Sequence, residues 1–369
     1  MTDKAIVPLN DLGRGTRSLR AELDLAIGRV ISSGWFVLGP EHDALERELA
    51  AYVGTTHAIN VGNGTDALEL ALSAVGVAAG DQVVTVANAG AYTTTAVRLL
   101  GAFPIYCDID PQTLLMSVAT LEAALALMDE APKAIVVTHL YGALAPIEAI
   151  VALAAKHGIA VIEDCAQSLG ARTSNGMGGS FAAVATTSFY PTKNLGALGD
   201  GGALFTSNDE IAASLKRMRQ YGWESKYNIQ YAHGRNSRLD EMQAAILRTK
   251  LPFLDAGNAR RREIHALYES AAPSDATLVN KAGEDFVAHL AVLTSENRTA
   301  VREKLRDAGI ATDVHYPIPD HQQGFPDFVA RTMPLEVTEW ASQAVFSVPM
   351  FPELTDAEAL CVKEALDSL

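Results

Sequence analysis

The sequence predicts an α/β fold in which a mainly parallel β-sheet is covered on both faces by helices. Short runs rich in β-branched residues alternate with longer segments in which apolar residues recur at helical spacing. Such alternation is typical of right-handed crossover connections and of a parallel sheet with buried strands. The predicted strands are residues 83–86, 104–107, 134–137 and 159–162, and the predicted helices between them are residues 67–75, 118–128 and 147–157.

The pattern changes after residue 250, where helices and scattered short strands replace the regular alternation. We therefore expect a large domain over residues 1–250 and a smaller C-terminal α/β domain over residues 251–369. No linker rich in proline or serine separates the two domains, and the sequence shows no internal repeat. We therefore expect the two domains to pack tightly against each other. The elements predicted for the smaller domain are helices at residues 254–269, 297–309 and 357–369 and a strand at residues 286–293.

The composition argues against several classes of partner. The chain has 369 residues and a formal net charge of −15, whereas nucleic acids and anionic membranes attract basic surfaces. No apolar run approaches the ~18 residues that cross a bilayer, and no signal segment opens the sequence. The three cysteines, Cys107, Cys165 and Cys361, fit a reducing cytoplasm and form neither a disulfide framework nor a metal-ligand cluster. We therefore expect a cytoplasmic protein without a metal site.

Lys193 is the most informative residue of the chain. It lies in the run Ser-Phe-Tyr-Pro-Thr-Lys-Asn-Leu-Gly at residues 188–196, after a β-like stretch at residues 183–189. A lysine in this position is well placed to point into a cavity, where desolvation lowers the pKa of its amine and frees it to form a Schiff base. The alternative is a solvated loop lysine, which is the commoner fate of this residue type.

A second motif favours the cavity interpretation. The apolar residues 161–162 are followed by Glu163 and Asp164, and an acid at a strand end is the usual cofactor-facing group of an α/β sheet. A carboxylate and a lysine on neighbouring strand ends are what pyridoxal phosphate (PLP) needs: the lysine holds the cofactor as an imine, and the carboxylate keeps the pyridine nitrogen protonated. The adjacent Cys165 is an alternative nucleophile, although a free cysteine is usually a small buried hydrophobe.

Three blocks of sequence, in a fixed order, carry a resemblance to a known family. The blocks are Glu-Asp-Cys-Ala-Gln at 163–167, residues 188–194, and Asn-Ser-Arg-Leu-Asp-Glu-Met-Gln-Ala-Ala at 236–245. Together they resemble the DegT/DnrJ/EryC1/StrS family of sugar aminotransferases, and the resemblance runs from residue 7 to residue 352. It implies PLP fold type I, the aspartate aminotransferase-like fold, with PLP as cofactor and with Lys193 and Asp164 as the catalytic residues.

The resemblance implies further contacts to the cofactor. Gly64 and Thr65 begin a helix after the β-like run 57–61, and family members bind the phosphate at this helix start. Ser188 is expected to bring its hydroxyl to the same phosphate, and Gln167 to hydrogen-bond the 3′-oxygen of the ring. The ordinary alternatives are a helix capped by its own Asn or Thr, a strand-end serine, and a glutamine in the first turn of a helix.

A polar loop predicts a shared active site. Asn236 and Arg238 precede a helix whose expected N-cap is Asp240. In the resembling enzymes the asparagine reaches the phosphate of the neighbouring subunit, which implies a homodimer, and we assign Arg238 to the substrate. The family often has a tyrosine where Ser237 stands here. A simple polar surface loop is the alternative.

The aromatic residue that stacks on the pyridine ring is displaced in this sequence. Ungapped counting puts the family's aromatic at Gly90, and the nearest aromatic is Tyr92. We assign the stacking role to Tyr92; a tyrosine packed in the core is the alternative. The segment 88–92 resembles the branch of the family that acts at C3 of thymidine-diphosphate-linked keto-deoxysugars.

A second segment concerns the substrate. His315 and Tyr316, followed by His321, resemble the loop that lines the sugar and nucleotide pocket. His139 stands at another strand end, where a histidine bonded to backbone is commoner than an acid–base group. The expected reaction is amination of a nucleotide-linked (dTDP) 3-keto-6-deoxyhexose, with L-glutamate as the amino donor.

Other functions remain open at this level. A C4-acting nucleotide-sugar aminotransferase differs only in regiochemistry. A sugar dehydratase of the same family carries a histidine in place of Lys193, and a catalytically silent regulatory relative would lack the lysine, the acid or the phosphate contact. The glycines at 196–202 match a dinucleotide-binding loop only loosely and do not follow the first strand.

Overall fold

The computed structural model describes residues 6–324, 331–332 and 334–369. Within these ranges the helices are α1 Leu12–Ser18, α2 Arg20–Ser33, α3 Pro40–Val53, α4 Gly64–Ala74, α5 Tyr92–Leu99, α6 Val118–Ala126, α7 Ile147–Lys156, α8 Asp209–Met218, α9 Glu241–Lys250, α10 Leu254–Glu269, α11 Arg298–Asp307, α12 Glu336–Ala344 and α13 Asp356–Asp367. Short 3₁₀ turns cover Leu140–Gly142, Leu251–Phe253 and Asp320–Gln322.

The strands form one large sheet and two small ones. They are β1 His57–Val61, β2 Gln82–Val86, β3 Phe103–Cys107, β4 Ala134–Thr138, β5 Ala160–Asp164, β6 Val184–Ser188, β7 Gly202–Thr206, β8 Trp223–Ser225, β9 Asn228–Ile229, β10 Thr277–Leu278, β11 Ala291–Thr294, β12 Arg331–Thr332 and β13 Val345–Val348. The large sheet has the order β1-β7-β6-β5-β4-β2-β3-β12.

The large sheet confirms the predicted α/β fold. The pairs from β6 across to β12 are all parallel, and β7 runs antiparallel to both β1 and β6. Every residue of β4 and β7 is buried, because helices cover both faces of the sheet. The four strands predicted from β-branched runs correspond to β2, β3, β4 and β5.

The C-terminal part contains a small antiparallel sheet of order β10-β11-β13. The three predicted helices are present as α10, α11 and α13, but the strand predicted over residues 286–293 is wrong in its first half, because the strand covers Ala291–Thr294. Before it, the backbone lies along the 3₁₀ turn at Leu140–Gly142: Val287 N–H donates to the Gly142 carbonyl at 2.9 Å and Leu290 N–H to the Tyr141 carbonyl at 3.2 Å. These apolar residues are buried against a turn, so their pattern resembles that of a strand.

One hydrophobic core joins the two parts of the chain. It includes Val84 and Ile105 of the large sheet together with Val292 and Phe346 of the small sheet, which agrees with the expected tight packing. The division of the chain at residue 250 stays a prediction. Among the described residues, no helix combines the length and apolar character needed to cross a membrane.

The topology brings two predicted site residues to the same edge. The strands β5 and β6 are parallel neighbours, with Asp164 paired to Thr186. Both therefore end on the same side of the sheet, β5 at Asp164 and β6 at Ser188. Ligands of open α/β sheets bind at this carboxyl edge.

Candidate active site

A cavity of about 680 Å³ lies at the carboxyl ends of β5 and β6. Part of its wall is apolar and comes from the N-terminal segment and the C-terminal part of the chain, including Leu9, Leu290, Val348 and Met350. The predicted site residues that line this cavity are Gly64, Thr65, Tyr92, Asp164, Gln167, Ser188, Lys193, His315 and Tyr316.

Lys193 is presented to the cavity by a tight turn after β6. Its backbone N–H donates to the Tyr190 carbonyl at 2.8 Å. The turn requires glycine at 196, since a Cβ there would lie 2.4 Å from the Pro191 carbonyl oxygen. Burial lowers the pKa of the Lys193 amine to about 8, against the opposing effect of the Asp164 carboxylate. An amine with this pKa is neutral in roughly one molecule in ten at pH 7.

Asp164 ends β5 as a buried carboxylate with spare hydrogen-bonding capacity. Its side chain is 6% exposed, and its Oδ1 accepts a hydrogen bond from Ala166 N–H at 3.1 Å. Burial raises the pKa of Asp164, and this outweighs the lowering effects of the Ala166 N–H and of the Lys193 charge. No described residue donates to its Oδ2, so that oxygen is available to a donor on a bound molecule.

The N-terminus of α4 forms another wall of the cavity. Asn63 is its N-cap and accepts a hydrogen bond from Asp66 N–H at 2.8 Å, so the ordinary capped helix start is present. The cap leaves the N–H groups of Gly64 and Thr65 without intrahelical partners. A Cβ on Gly64 would lie 2.8 Å from the Ser188 Cβ, so only glycine lets the helix start approach the end of β6 this closely. Helix N–H groups beside a serine hydroxyl suit a phosphate.

Gln167 lies in a turn and is anchored on two tyrosines. Its Oε1 accepts a hydrogen bond from Tyr141 N–H at 2.6 Å, and its Nε2 donates to the Tyr316 hydroxyl at 3.2 Å. The alternative in which Gln167 belongs to the first turn of a helix is wrong, because residues 166–170 form turns. The side chain is thus held in a fixed orientation at the cavity wall.

The displaced aromatic has a steric explanation. Gly90 has φ +80, and a Cβ on it would lie 2.9 Å from Cε1 of Tyr316, so the Tyr316 ring occupies the space that a side chain at 90 would need. Tyr92 is 50% exposed and meets Tyr316 edge-on, with ring centroids 6.2 Å apart. The alternative in which Tyr92 packs in the core is therefore wrong.

His315 is fixed by its neighbours. Its Nδ1 lies 3.0 Å from the Ser347 hydroxyl, and its carbonyl accepts a hydrogen bond from the Tyr141 hydroxyl at 2.6 Å. Burial lowers the pKa of His315, more than the Asp313 carboxylate raises it. The ring is therefore mostly neutral at pH 7.

Three predicted site residues lie outside the cavity of the single chain. His321 has its Nε2 3.1 Å from the Glu339 carboxylate, so the structure does not bring it to the cavity. Asn236 is exposed, and Arg238 lies over the Tyr221 ring, 6.0 Å from its centroid. The roles of Asn236 and Arg238 at a neighbouring subunit stay predictions.

His289 lines the cavity and was missed from the sequence. Asn194 donates its Nδ2 to the Asn258 Oδ1 at 2.8 Å and to the Val287 carbonyl at 3.2 Å. Its Oδ1 must therefore accept from His289 Nδ1, 2.8 Å away, which fixes the proton on Nδ1. Burial lowers the pKa of His289 well below its ordinary value. The sequence carries no signal for this contact, because Asn194 and His289 are 95 residues apart.

Glu163 and His139 form a fully buried pair beside the cavity. His139 Nδ1 accepts from Ala145 N–H at 3.1 Å, so its Nε2–H donates to Glu163 at 3.1 Å. Burial alone would raise the pKa of Glu163, but the His139 hydrogen bond and the backbone donors of residues 179–182 hold it below its ordinary value. His139 is thus a histidine with both ring nitrogens bonded.

Comparisons with known proteins found relatives that match nearly the whole chain. At the sequence level the chain is 40% identical to a pleiotropic regulatory protein of Geobacillus stearothermophilus (98% of this chain, 97% of the other). It is also 40% identical to a UDP-N-acetyl-3-dehydro-α-D-glucosamine 3-aminotransferase of Acidithiobacillus ferrooxidans (97% and 96%). Identity to a dTDP-3-amino-3,4,6-trideoxy-α-D-glucose transaminase of Streptomyces venezuelae is 39% (98% and 95%).

A solved structure and a family model extend the likeness to the fold. The crystal structure of S. venezuelae DesV in complex with a ketimine intermediate superposes with a TM-score of 0.93 at 38% identity, over 99% of this chain and 98% of that one. The model of the DegT/DnrJ/EryC1/StrS aminotransferase family matches residues 17–367. The chain therefore belongs to this family of PLP-dependent aminotransferases, which act on nucleotide-linked sugars.

Proposed function

We propose that this aminotransferase transfers the amino group of L-glutamate to C3 of a dTDP-linked 3-keto-6-deoxyhexose. The observation that carries the C3 assignment is the segment 88–92, which resembles that of the C3-acting branch of the family. The Tyr316 ring fills the space over Gly90 of this segment. The names of two relatives, a UDP-sugar 3-aminotransferase and a dTDP-3-amino sugar transaminase, support amination at the same carbon. The apolar wall formed by Leu9, Leu290, Val348 and Met350 suits a deoxygenated C6.

The cavity residues fit PLP. The close approach of Gly64 to Ser188 leaves a helix start and a hydroxyl for a phosphate. Lys193 supplies an amine of lowered pKa, and Asp164 offers a carboxylate oxygen to which no described residue donates. When bound, PLP supplies an electron sink for the carbon from which the amino group leaves.

The side chains of the protein then divide the remaining work. Lys193 would hold the cofactor and would move protons at its Nζ during transfer of the amino group. Asp164 would keep the pyridine nitrogen protonated, and Gln167, held by Tyr141, would position the 3′-oxygen. His315 and Tyr316 line the cavity, and we assign them to the sugar.

A homodimer completes the site in this proposal. Asn236 and Arg238 belong to the loop by which family members reach the neighbouring subunit, and they lie outside the cavity of their own chain. Trp35 and Phe36 are 57% and 54% exposed, and the Phe36 carbonyl accepts from Glu241 N–H at 3.0 Å, directly after this loop. Exposed aromatics beside the loop support a contact surface. The reaction takes place in the cytoplasm, where the three cysteines stay reduced.

The dimer is tested by complementation. An Asn236→Ala variant and a Lys193→Ala variant, each inactive alone, should regain about a quarter of the wild-type sites after random subunit exchange, as two-fold symmetry requires. Sedimentation as a monomer at micromolar concentration, or no recovery despite proven exchange, would contradict a shared site.

The reaction is tested with matched substrates. We expect L-glutamate and the dTDP-3-keto-6-deoxyhexose to give the 3-amino sugar, detected by mass spectrometry, with the Lys193→Ala variant as the blank. Amination of the 4-keto isomer alone would overturn the C3 assignment, and preference for a UDP-linked 3-keto sugar would overturn dTDP. A regulatory role without catalysis requires that L-glutamate fail to convert bound PLP to its amino form, which the absorbance spectrum reports.

A further inference from the structure

Asp320 joins two segments that each contribute a tyrosine to the wall of the cavity. Its Oδ1 accepts a hydrogen bond from Ala91 N–H at 2.8 Å, and its Oδ2 accepts from the Thr94 hydroxyl at 2.6 Å. Its own N–H donates to the Ala87 carbonyl at 2.7 Å. The residue is 1% exposed and does not line the cavity.

These contacts hold the start of a helix that has no side-chain cap. Ala91 is the N-cap of α5, but alanine has no side-chain acceptor, and it adopts φ +63, in the left-handed region. The Asp320 carboxylate accepts from the backbone N–H of this N-cap residue, the donor that an N3 side chain takes in a capping box, and places a negative charge at the helix start, although it lies 229 residues further along the chain. The conformation of this helix start therefore depends on Asp320.

The same contacts reach the cavity through two tyrosines. Tyr92 follows Ala91 directly, and Tyr316 lies on the segment that ends in Asp320. The two rings meet edge-on at 6.2 Å, and Gly90 lies against the Tyr316 ring. A shift of either loop would change the distance between these rings.

We propose that Asp320 is a positioning residue that sets the relative placement of Tyr92 and Tyr316 and thereby the aromatic wall against which the PLP ring binds. The proposal rests on the assignment of Tyr92 as the residue that stacks on the cofactor. Loss of the carboxylate loosens the start of α5, and the Tyr92 ring loses its fixed approach to the cofactor. Asparagine is a conservative replacement for Asp320, since it keeps an acceptor for Ala91 N–H and offers a donor to Thr94.

A second carboxylate provides a matched control. Asp108 accepts hydrogen bonds from Val337 N–H at 2.9 Å and from Thr338 N–H and Oγ1 at 2.8 Å each. It therefore fastens the start of α12 to the end of β3 in the way that Asp320 fastens the start of α5, but it does not line the cavity. Its removal reports the general cost of losing such a contact.

The experiment measures PLP binding to the apoprotein and the visible circular dichroism of the bound cofactor. Asp320→Ala and Tyr92→Ala should each weaken PLP binding by about three- to tenfold, the size of one aromatic contact, and reduce the dichroic band. Asp320→Asn should bind PLP within about twofold of wild type. Asp108→Ala should lower Tm while leaving PLP affinity and dichroism unchanged. Thr94→Val, which removes one of the two side-chain contacts, should shift both readouts in the same direction as Asp320→Ala and covers the case in which that variant does not fold.

The outcomes separate this proposal from the assignment beneath it. Normal PLP binding and dichroism in both Asp320→Ala and Thr94→Val, alongside weak binding in Tyr92→Ala, would overturn the role of Asp320 and leave Tyr92 as the stacking residue. Normal binding in Tyr92→Ala would overturn the stacking assignment itself and the proposal with it. Equal loss of PLP affinity in Asp108→Ala would also overturn the proposal, because the effect would then be general destabilisation.

Discussion

The two faces of strand β5 carry adjacent carboxylates with opposite environments. Glu163 is fully buried and accepts hydrogen bonds from His139 and from three backbone N–H groups in residues 179–182. Asp164, on the other face because side chains alternate along a strand, accepts one from Ala166. The pKa of Glu163 is held below its ordinary value, whereas burial raises that of Asp164.

This difference separates a structural carboxylate, Glu163, from a carboxylate that can bind a ligand, Asp164. A carboxylate whose oxygens are all bonded has no capacity left for a ligand, and its removal leaves its donors unpaired. A buried carboxylate with an unused oxygen is costly in the free protein and gains a partner when a cationic group binds. We therefore expect these two carboxylates, which are adjacent in sequence, to serve stability and catalysis separately.

The largest expected effect is a fall in turnover rate when Asp164 is substituted. Asp164→Asn removes the charged partner of the pyridine nitrogen, a contact worth roughly 1.5–3 kcal/mol, so the turnover rate should fall by about 10- to 150-fold. The variant should still bind PLP, and the Tm of its apoprotein should not fall, because Asp164 accepts only the Ala166 hydrogen bond from the described residues. Steady-state kinetics and thermal melting check this together. Turnover like that of wild type would remove the assigned role.

Substitution of Glu163 should instead lower stability and leave activity largely intact. Glu163→Gln removes the charged acceptor of four hydrogen bonds and leaves buried donors unpaired, so it should lower the free energy of unfolding by about 1–3 kcal/mol, while the folded fraction keeps most of its activity. The lowered pKa of Glu163 means that its contribution is present above its ordinary pKa of 4.5 and is lost as the pH falls through its lower value in the folded state. Urea denaturation at pH 7 and below pH 4 should therefore show a smaller difference between variant and wild type at the lower pH. A Glu163→Gln variant as stable as wild type at pH 7 would contradict the structural role of Glu163.

The pH dependence of Lys193 sharpens the comparison. Since its pKa is lowered to about 8, covalent attachment of PLP to the apoprotein should accelerate by about tenfold per pH unit below 8 and level off above it. The Asp164 charge raises the pKa of the amine, so Asp164→Asn should move this midpoint to lower pH. Stopped-flow absorbance gives the profile. A midpoint near 10.5, the ordinary value for lysine, would show a solvated amine.

The smallest effect is expected at the cysteines. Cys165 follows Asp164 and is buried, and burial together with the neighbouring Glu163 and Asp164 charges raises the pKa of its thiol, whereas Cys361 is exposed. Iodoacetamide should therefore modify Cys361 in the native protein and leave both Cys165 and the activity untouched. Peptide mapping checks the site. Rapid loss of activity on modification of Cys165 would instead support its role as a nucleophile.

Sequence reasoning found the parts of the site that depend on local order. Asp164 and Ser188 end strands whose composition is visible in the sequence, and the glycine-containing turn after β6 places Lys193. The N-cap Asn63 follows the same local rules. These positions are determined within one strand–turn unit, so a single window of sequence contains the signal.

The parts that were missed depend on contacts between distant segments. Asp320 and Ala91 are 229 residues apart, and His289 and Asn194 are 95 residues apart. His321 illustrates the converse: it is close in sequence to Tyr316, yet the turn at Asp320–Gln322 carries it to Glu339 and away from the cavity. Polar contacts of this kind produce no periodic pattern in the sequence, because each depends on how one part of the chain packs against the other.

The contact between Gly90 and Tyr316 limits the mutational routes open to this enzyme. A side chain at 90 and a tyrosine ring at 316 exclude each other, since a Cβ at 90 would come within 2.9 Å of that ring, and the φ of +80 at this position disfavours any other residue. An aromatic residue at 90 therefore requires more than one change. The ring at 316 has to move or be replaced by a smaller side chain, and the backbone at 90 has to change its φ, so substitutions at the two positions are coupled.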